Sequence, residues 1–344
     1  MDIKYSRRSF LQTAGAAGVA AGMGQVGIAA AHSNPDQGRR FHCVQIDVFT
    51  SRRLEGNPLA VFTDARGLSD SEMQDLARET NLQETTFVLP RDVATEREQG
   101  VKVRIFIPNQ EIPFGGHPTL GTAMVLRDLR LASQKGSIKS SDVAEITLDL
   151  QVGKIPVEFR TDSSGNIFGE MQQVDPVFGP AHDRETIAAL LDLSPNDISS
   201  DSPIQTLSTG LYFIIVPIRN LSTLQRLTVA PPKAYDYLSR QKLPGLADFY
   251  YVTRETGDPA IGLRSRGLFS TGEDPATGSA SGCTAAWMVR YGIAKPEDTV
   301  HILQGVEMKR PSHIFVRASK QGDTVKNVRV GGHAVQIMEG TVSL

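Results

Sequence analysis

Three titratable residues of this sequence stand where proton chemistry can occur: Glu84, His117 and Asp274. Glu84 opens the strand-like run of NLQETTF, whereas His117 and Asp274 lie in the glycine-rich stretches PFGGHPTLGTA and GEDPATGSASG. A glutamate buried beside an apolar cleft tends to have a raised pKa, so that it can take up or release a proton. A histidine and an aspartate nearby can relay that proton or orient a substrate. The three residue types together indicate acid–base catalysis.

Each of these residues also has a structural interpretation when it is taken singly. Glu84 is compatible with a solvated residue at a strand edge, and Asp274 with a turn former or a cap before a helix. His117 is compatible with a capping residue. The structural interpretation is the more common one for any single residue, so the catalytic hypothesis depends on the elements that bring the three together.

Two glycine-rich stretches share one arrangement of predicted elements. RIFIPNQEIPFGGHPTLGTAMVL and RGLFSTGEDPATGSASGCTAAWMV each consist of a strand, an acidic turn, glycine and a helix. The first helix is predicted over about residues 117–132, and apolar residues on most of its sides indicate burial. The repetition predicts two similar α/β domains that face each other across a cleft. Two helix N-termini aimed at one site would bind an anion such as a carboxylate.

Local patterns place the neighbouring elements. FHCVQIDVF alternates as a strand, GNP is a turn, and LAVF resumes a strand, which together predict a hairpin-like pair. Ser69 with Glu72 three residues later forms a capping box that opens a helix. The second GGH motif, around His333, is followed by strand-like residues, so His333 is predicted to be structural or on the surface.

Residues 1–31 have the features of a twin-arginine export signal. Arg7 and Arg8 precede a run rich in Ala and Gly, and residues 29–31 supply the small side chains that a signal peptidase requires. A transmembrane anchor is the alternative, and the shortage of Leu, Ile and Phe disfavours it. We therefore expect this segment to be cleaved and the folded protein to work in the periplasm.

Composition and cysteine usage limit the classes of partner. The formal net charge is −2, 40% of residues are hydrophobic, and no basic cluster follows the signal, so neither nucleic acid nor membrane is an expected partner. Cys43 and Cys283 are predicted to be buried small hydrophobic residues, with a disulfide or a reactive thiol as the alternative. No CxxC, HExxH or paired Cys/His spacing occurs, and we predict no metal site.

Several motifs in a fixed order resemble one known family. IDVFTSRRLEGNPLAVF, NLQETTFVL, RIFIPNQEIPFGGHPTLGTA and EDPATGSASG are followed by VGGHAVQIMEGTVSL. Together they resemble the PhzF-like isomerases of phenazine biosynthesis over residues 41–344. The resemblance implies a diaminopimelate-epimerase-like α/β (α+β) fold of two similar domains, each a mixed β-sheet wrapped around a central helix. We expect these domains over residues 41–165 and 166–330, with closing strands over 331–344.

The resemblance also implies proton transfer without a cofactor, at a carbon next to an acidifying group. Glu84 matches the family's catalytic glutamate, His117 its histidine and Asp274 its aspartate. The expected substrate-binding residues are Asn57, Gly116, Thr277, Gly278 and Ser279. Related racemases and epimerases use two cysteines at the places that Gly115 and Thr277 occupy here, so a shuttle on one glutamate is favoured over a two-cysteine mechanism.

The expected substrate is a small carboxylate-bearing molecule, and a homodimer is a possible assembly. A periplasmic binding protein of the same fold without turnover is the alternative, and the presence of all three titratable residues argues against it. A hydrolase that uses Glu84 and His117 on water is a third hypothesis, but no GxSxG motif or metal spacing supports it.

Overall fold

The computed structural model describes residues 38–133 and 143–344, in which Arg40–Leu344 forms one compact unit. The predicted export signal lies outside the described residues. The first half contains the strands β1 (Arg40–Val48), β2 (Asn57–Phe62), β3 (Glu84–Leu89), β4 (Val101–Ile107), β5 (Gln110–Ile112), β6 (Glu145–Leu150), β7 (Gly153–Thr161) and β8 (Ile167–Gln172). Its helices are α1 (Asp70–Thr80), α2 (Val93–Gln99) and α3 (Gly116–Ser133).

The second half contains the remaining ten strands and four helices of the described residues. The strands are β9 (Val177–His182), β10 (Ile204–Ser208), β11 (Tyr212–Pro217), β12 (Ala247–Thr253), β13 (Leu263–Phe269), β14 (Gly272–Asp274), β15 (Val300–Gln304), β16 (Ser312–Gln321), β17 (Thr324–Gly332) and β18 (Ala334–Ser343). The helices are α4 (Arg184–Leu190), α5 (Leu221–Arg226), α6 (Pro232–Arg240) and α7 (Gly278–Arg290), with a 3₁₀ turn at Pro195–Asp197.

Local signals in the sequence explain several of these elements. The capping box of α1 is confirmed: the Ser69 side chain accepts the Glu72 amide, and the Glu72 carboxylate accepts the Ser69 amide. The predicted hairpin-like pair is the antiparallel β1–β2 ladder. The predicted helix over residues 117–132 is α3, and the acidic turns before α3 and α7 contain the short strands β5 and β14.

The two halves repeat one order of strand pairings. In the first half β1 pairs antiparallel with β2, β2 parallel with β3, β3 antiparallel with β4, and β4 both antiparallel with β5 and parallel with β6. In the second half β10–β11, β11–β12, β12–β13, β13–β14 and β13–β15 follow the same sequence of directions. Two similar α/β halves, as the sequence predicts, therefore share one continuous mixed sheet.

Two ladders join the halves. Strand β17 pairs with β8, and the closing strand β18 pairs with β1. Because β8 pairs with β7 of the first half as well as with β17 of the second, the boundary predicted between residues 165 and 166 falls beside a shared strand. The domain limits stay a prediction.

Helices α3 and α7 are the buried centres of the two halves. Residues 116–127 of α3 and 278–289 of α7 are all buried. Helix α3 packs against β1, β2 and β6, helix α7 packs against β16, β17 and β11, and the two helices contact each other. Within the described residues, no helix is both long enough and apolar enough to cross a membrane.

Candidate active site

A cavity of about 630 Å³ opens beside the start of these two helices. The volume lies within the range of small-molecule sites, about 300–1,000 Å³. Both halves contribute to its wall. The predicted site residues in the wall are Glu84, Gly116, His117, Asp274, Thr277, Gly278 and Ser279. The structure thus brings together residues that are far apart in the sequence, and of the predicted set it leaves only Asn57 outside the wall.

The N-termini of α3 and α7 meet at two glycines. A Cβ atom on Gly116 would lie 2.5 Å from both the Gly278 carbonyl carbon and the Ser279 nitrogen. Any side chain at Gly116 would therefore collide with backbone. The helix starts predicted to face each other do so, at a distance that only glycine permits.

These helix starts leave backbone amides outside the helical hydrogen-bond pattern. The first helical bond of α3 runs from the Thr119 amide to the Gly115 carbonyl, and that of α7 from Ser281 to Thr277. The amides of Gly116 and His117 precede the first bond in α3, and those of residues 278–280 precede it in α7. Such amides, with the positive end of the helix dipole, suit a carboxylate.

The hairpins that lead into the two helices are held by matching ion pairs. Arg104 donates to both carboxylate oxygens of Glu111, at 2.8 and 2.6 Å. In the second half Arg266 donates to both oxygens of Glu273, at 2.8 Å each. This pair stands at the same distance in sequence before Gly278 as the first pair does before Gly116. Bidentate pairs fix orientation as well as distance. Each helix therefore begins directly after a hairpin whose geometry an Arg–Glu ion pair fixes. The sequence analysis did not identify this repeated ion pair.

His117 is buried and contacts a polar side chain on each side of its ring. Its Nδ1 atom lies 3.0 Å from the Asn57 side-chain nitrogen, and its Nε2 atom lies 3.3 Å from Oε2 of Glu84. That Asn57 nitrogen also donates to the Ala276 carbonyl, which can only accept, so its identity as N–H is fixed. Nδ1 of His117 is therefore an acceptor, and the proton of the neutral ring lies on Nε2, beside Glu84. Burial lowers the pKa of His117 to about 3, which keeps the ring neutral.

Glu84 opens β3 and exposes 18% of its side chain. Burial, followed by the negative charge of Asp274, raises the pKa of Glu84 well above its ordinary value of 4.5. Among the described residues, neither Oε2 of Glu84 nor Nε2 of His117 has a partner in hydrogen-bond geometry. Buried polar atoms without hydrogen-bond partners, when they lie at a cavity wall as these two do, are typical of a ligand-binding site.

Asp274 ends β14 and is held by hydrogen bonds on both oxygens. Asn57 donates to Oδ1 at 2.7 Å, and the Thr277 hydroxyl donates to Oδ2 at 2.6 Å. Burial raises the pKa of Asp274 to about 7, and these two donors oppose the rise. The carboxylate is therefore fixed in place but still close to protonation at neutral pH.

Asn57 lies behind His117. It is fully buried, and its amide joins His117 of the first half to Asp274 of the second. The turn before it is held by Arg310, which donates to the Gly56 carbonyl at 2.8 Å and to the buried Asp47 carboxylate at 2.7 Å. Asn57 thus contacts two of the predicted catalytic residues, while its predicted role in substrate binding stays a prediction.

A buried polar network that the sequence analysis missed supports Asp274 and Thr277. Gln304 donates to the Asp274 carbonyl at 2.8 Å and to the Thr277 hydroxyl at 2.9 Å, and its oxygen accepts the Thr277 amide. The Tyr250 hydroxyl donates to the same Gln304 oxygen at 2.7 Å. Gln304 and Tyr250 stand in strand patterns without a motif, so nothing in the sequence marks them.

The remaining candidates lie outside the cavity. Cys43 and Cys283 are both free thiols and form no disulfide in the structure; Cys283 is fully buried in α7 as predicted, whereas Cys43, predicted to be buried, is only half-buried in β1. The Nδ1–H group of His333 donates to the Ile167 carbonyl at 2.8 Å, and its Nε2 atom lies 3.4 Å from Asp162. Across residues 38–133 and 143–344, no group of three His, Cys, Asp or Glu side chains is arranged to hold a metal ion.

Comparison with known proteins connects this geometry to one family. A family model described as phenazine biosynthesis-like protein matches residues 46–340. The trans-2,3-dihydro-3-hydroxyanthranilate isomerase of Pseudomonas chlororaphis is 33% identical over 309 residues, which cover 88% of this chain and 99% of that protein. The chain belongs to the phenazine biosynthesis-like family.

Two further relatives support the same family assignment. An uncharacterised isomerase of Mesorhizobium japonicum is 33% identical over 302 residues, covering 86% of this chain and 96% of that protein. The crystal structure of the Bacillus anthracis phenazine biosynthesis protein of the PhzF family has a TM-score of 0.74 at 28% identity, covering 89% of this chain and 100% of that one. The predicted resemblance, fold class and enzyme class are confirmed: the protein is an isomerase of this family.

The amino terminus of this phenazine biosynthesis-like protein is also matched. A model of the twin-arginine translocation signal covers residues 4–24. The predicted export signal is thereby confirmed.

Proposed function

We propose that this isomerase transfers a proton between carbon atoms, or between the faces of one carbon atom, of a small carboxylate-bearing substrate in the 630 Å³ cavity. The observation that carries the proposal is the pair of Glu84 and neutral His117, 3.3 Å apart at the wall between two helix N-termini. No cofactor takes part. The alternative of a binding protein without turnover does not require a proton-transfer pair.

In this proposal Glu84 is the acid–base group. A carboxylate whose pKa is raised toward neutrality can accept a proton from carbon and return it to another position, and groups matched to the working pH act best. The negative charge of Asp274 raises the pKa of Glu84 further, so the two carboxylates form one titrating unit.

His117 and the helix N-termini hold the reacting groups. The Nε2–H group of His117 is a neutral donor that can bind the Glu84 carboxylate or a substrate oxygen. The amides of Gly116, His117, Gly278 and Ser279 bind the substrate carboxylate, where they also stabilise negative charge that develops on it as the adjacent carbon loses a proton. Asn57 fixes the ring of His117 and the carboxylate of Asp274 in one orientation.

The place of action that we propose is the periplasm, because a twin-arginine signal precedes the domain. Such a signal exports proteins that have already folded.

Deuterium uptake in D₂O tests the proposal. Wild-type protein is incubated with trans-2,3-dihydro-3-hydroxyanthranilate, the substrate in the relative's name, and with a panel of amino and hydroxy acids. Mass spectrometry and proton NMR then report one deuterium at a defined carbon of the true substrate. A ligand that binds tightly and never exchanges would favour the binding-protein alternative.

A further inference from the structure

The cavity has a second polar feature apart from the helix N-termini. Asp248, in β12, lines the wall together with Tyr235 of α6. Strand β12 pairs in parallel with β11, and Asp248 lies opposite Phe213, another wall residue. Neither Asp248 nor Tyr235 belongs to the proton-transfer set described above.

Asp248 has no cationic partner in the described part of the chain. Its Oδ1 atom accepts the amide of the next residue, Phe249, at 2.9 Å, and no cationic side chain of the described residues contributes to its pKa. The described wall residues include no Lys or Arg at all. Partial burial raises the pKa of Asp248 to about 7, as expected of a half-buried carboxylate without a counterion.

The hydroxyl of Tyr235 is a second polar group of this wall that lacks a hydrogen-bond partner among the described residues. This hydroxyl is buried, and the charge of Asp248 is near enough to help raise its pKa. A buried hydroxyl that a neighbouring carboxylate does not satisfy is costly unless a ligand completes it. Asp248 and Tyr235 together offer acceptors to one donor-rich group.

Apolar side chains form part of the same wall. Leu211, Phe213 and Phe269 line it, and the two phenylalanine rings lie 6.3 Å apart. A carboxylate without a counterion beside a hydroxyl without a partner suits an ammonium group, which has three donors and no acceptor. An additional carboxylate would instead be repelled by Asp248.

We propose that Asp248, assisted by the Tyr235 hydroxyl, binds a cationic amino group of the substrate. The inference rests on the proposed function in placing the substrate carboxylate at the α3 and α7 N-termini. The cavity then has backbone amides for the anionic group and a carboxylate for the cationic group. The two charged groups of the substrate then contact different walls.

Calorimetric binding at pH 8 tests this assignment, because Asp248 is ionised there and aliphatic amines are still protonated. The probes are β-alanine, 4-aminobutyrate and 6-aminohexanoate, each beside the alkanoate of the same length. We expect wild-type protein to bind at least one amino acid about 10-fold more tightly than its alkanoate, the usual worth of a hydrogen bond to a charged group.

Two variants locate the effect. Asp248→Asn should bind each amino acid no better than its alkanoate, and burial already favours a neutral group there, so the fold should tolerate the amide. Asp236→Asn, on the exposed face of α6, should keep the wild-type preference. No preference at any chain length in wild-type protein, or a preference that persists in Asp248→Asn, would overturn the assignment.

The readout is binding and not turnover. A wild-type preference that Asp248→Asn abolishes, together with no deuterium uptake by any substrate, would leave the amino-group site standing and remove the proposed function. Deuterium uptake by a substrate, together with no preference for amino acids over alkanoates, would support the proposed function and remove the amino-group site.

Discussion

Nε2 of His117 lies 3.3 Å from Oε2 of Glu84, and the Nδ1 atom of the same ring accepts the amide of Asn57. The ring is therefore neutral, with its proton on the nitrogen nearest the carboxylate that we propose as the acid–base group. Removing the ring should affect the reaction more than the binding of the substrate.

His117→Asn should lower kcat by about 10²-fold or more, in the range of general acid–base groups, with a small change in KM. The matched control is His333→Asn, because His333 repeats the GGH motif outside the cavity. Steady-state kinetics of both variants measure the changes in kcat and in KM separately. Equal and small effects at both positions would make His117 a helix cap only.

The raised pKa of Glu84 predicts a pH-dependent cost in stability. At pH values between the pKa of Glu84 in the unfolded protein and its higher pKa in the folded protein, the folded state binds more protons than the unfolded state. The free energy of unfolding therefore decreases as the pH rises through this range. Glu84→Gln cannot ionise and escapes this loss. We expect Glu84→Gln to melt at a higher temperature than wild type at pH 8, with the difference shrinking toward pH 4.

The control for this measurement is Glu79→Gln on the exposed face of α1. Melting curves from pH 4 to pH 8 should show no such trend for Glu79→Gln. A Glu84→Gln advantage that is constant with pH would show that the ionisation of Glu84 is not its cause.

The contact of the two helix starts predicts a specific intolerance at Gly116. Gly116→Ala would place a Cβ 2.5 Å from the backbone of Gly278 and Ser279, and overpacking against fixed backbone costs about 1–3 kcal/mol. Activity should fall with stability, since the amides at both helix starts shift. Denaturant unfolding and kinetics measure the two effects.

Gly340→Ala is the control for Gly116→Ala, because a Cβ at Gly340 meets nothing within 4 Å. Its free energy of unfolding should stay within about 0.5 kcal/mol of wild type. If the two alanine variants prove equally stable and active, then α3 and α7 do not meet as described.

The cysteines should be dispensable for activity. Burial raises the pKa of Cys43 to about 11 and that of Cys283 to about 12, so both thiols are protonated at neutral pH and neither lines the cavity. The double variant Cys43→Ser, Cys283→Ala should retain most of kcat/KM. A folded double variant without activity would restore a thiol mechanism.

Sequence patterns predict those parts of this fold that local chemistry determines. The capping box at Ser69, the apolar helix α3 and the glycines at both helix starts each follow from residues a few positions apart. The matched arrangement of the two glycine-rich stretches is also visible, because an internal repetition needs no knowledge of the tertiary structure.

Side-chain pairing between distant segments is not visible in the same way. Arg310 binds Asp47 and the turn before Asn57, across more than 250 residues, and Gln304 supports Asp274 from a separate strand. Asp248 stands in a strand that reads as ordinary core. Such contacts depend on which strand faces come together, and a single sequence does not encode that in its local pattern.

Deuterium exchange by Glu84→Gln tests the central claim most directly. The variant keeps the shape of the side chain and removes its basicity, so it should still bind substrate but exchange at least about 10²-fold more slowly in D₂O. Glu79→Gln, the exposed control, should exchange at the wild-type rate. Exchange by folded Glu84→Gln at the wild-type rate would contradict the assignment of Glu84 as the group that moves the proton.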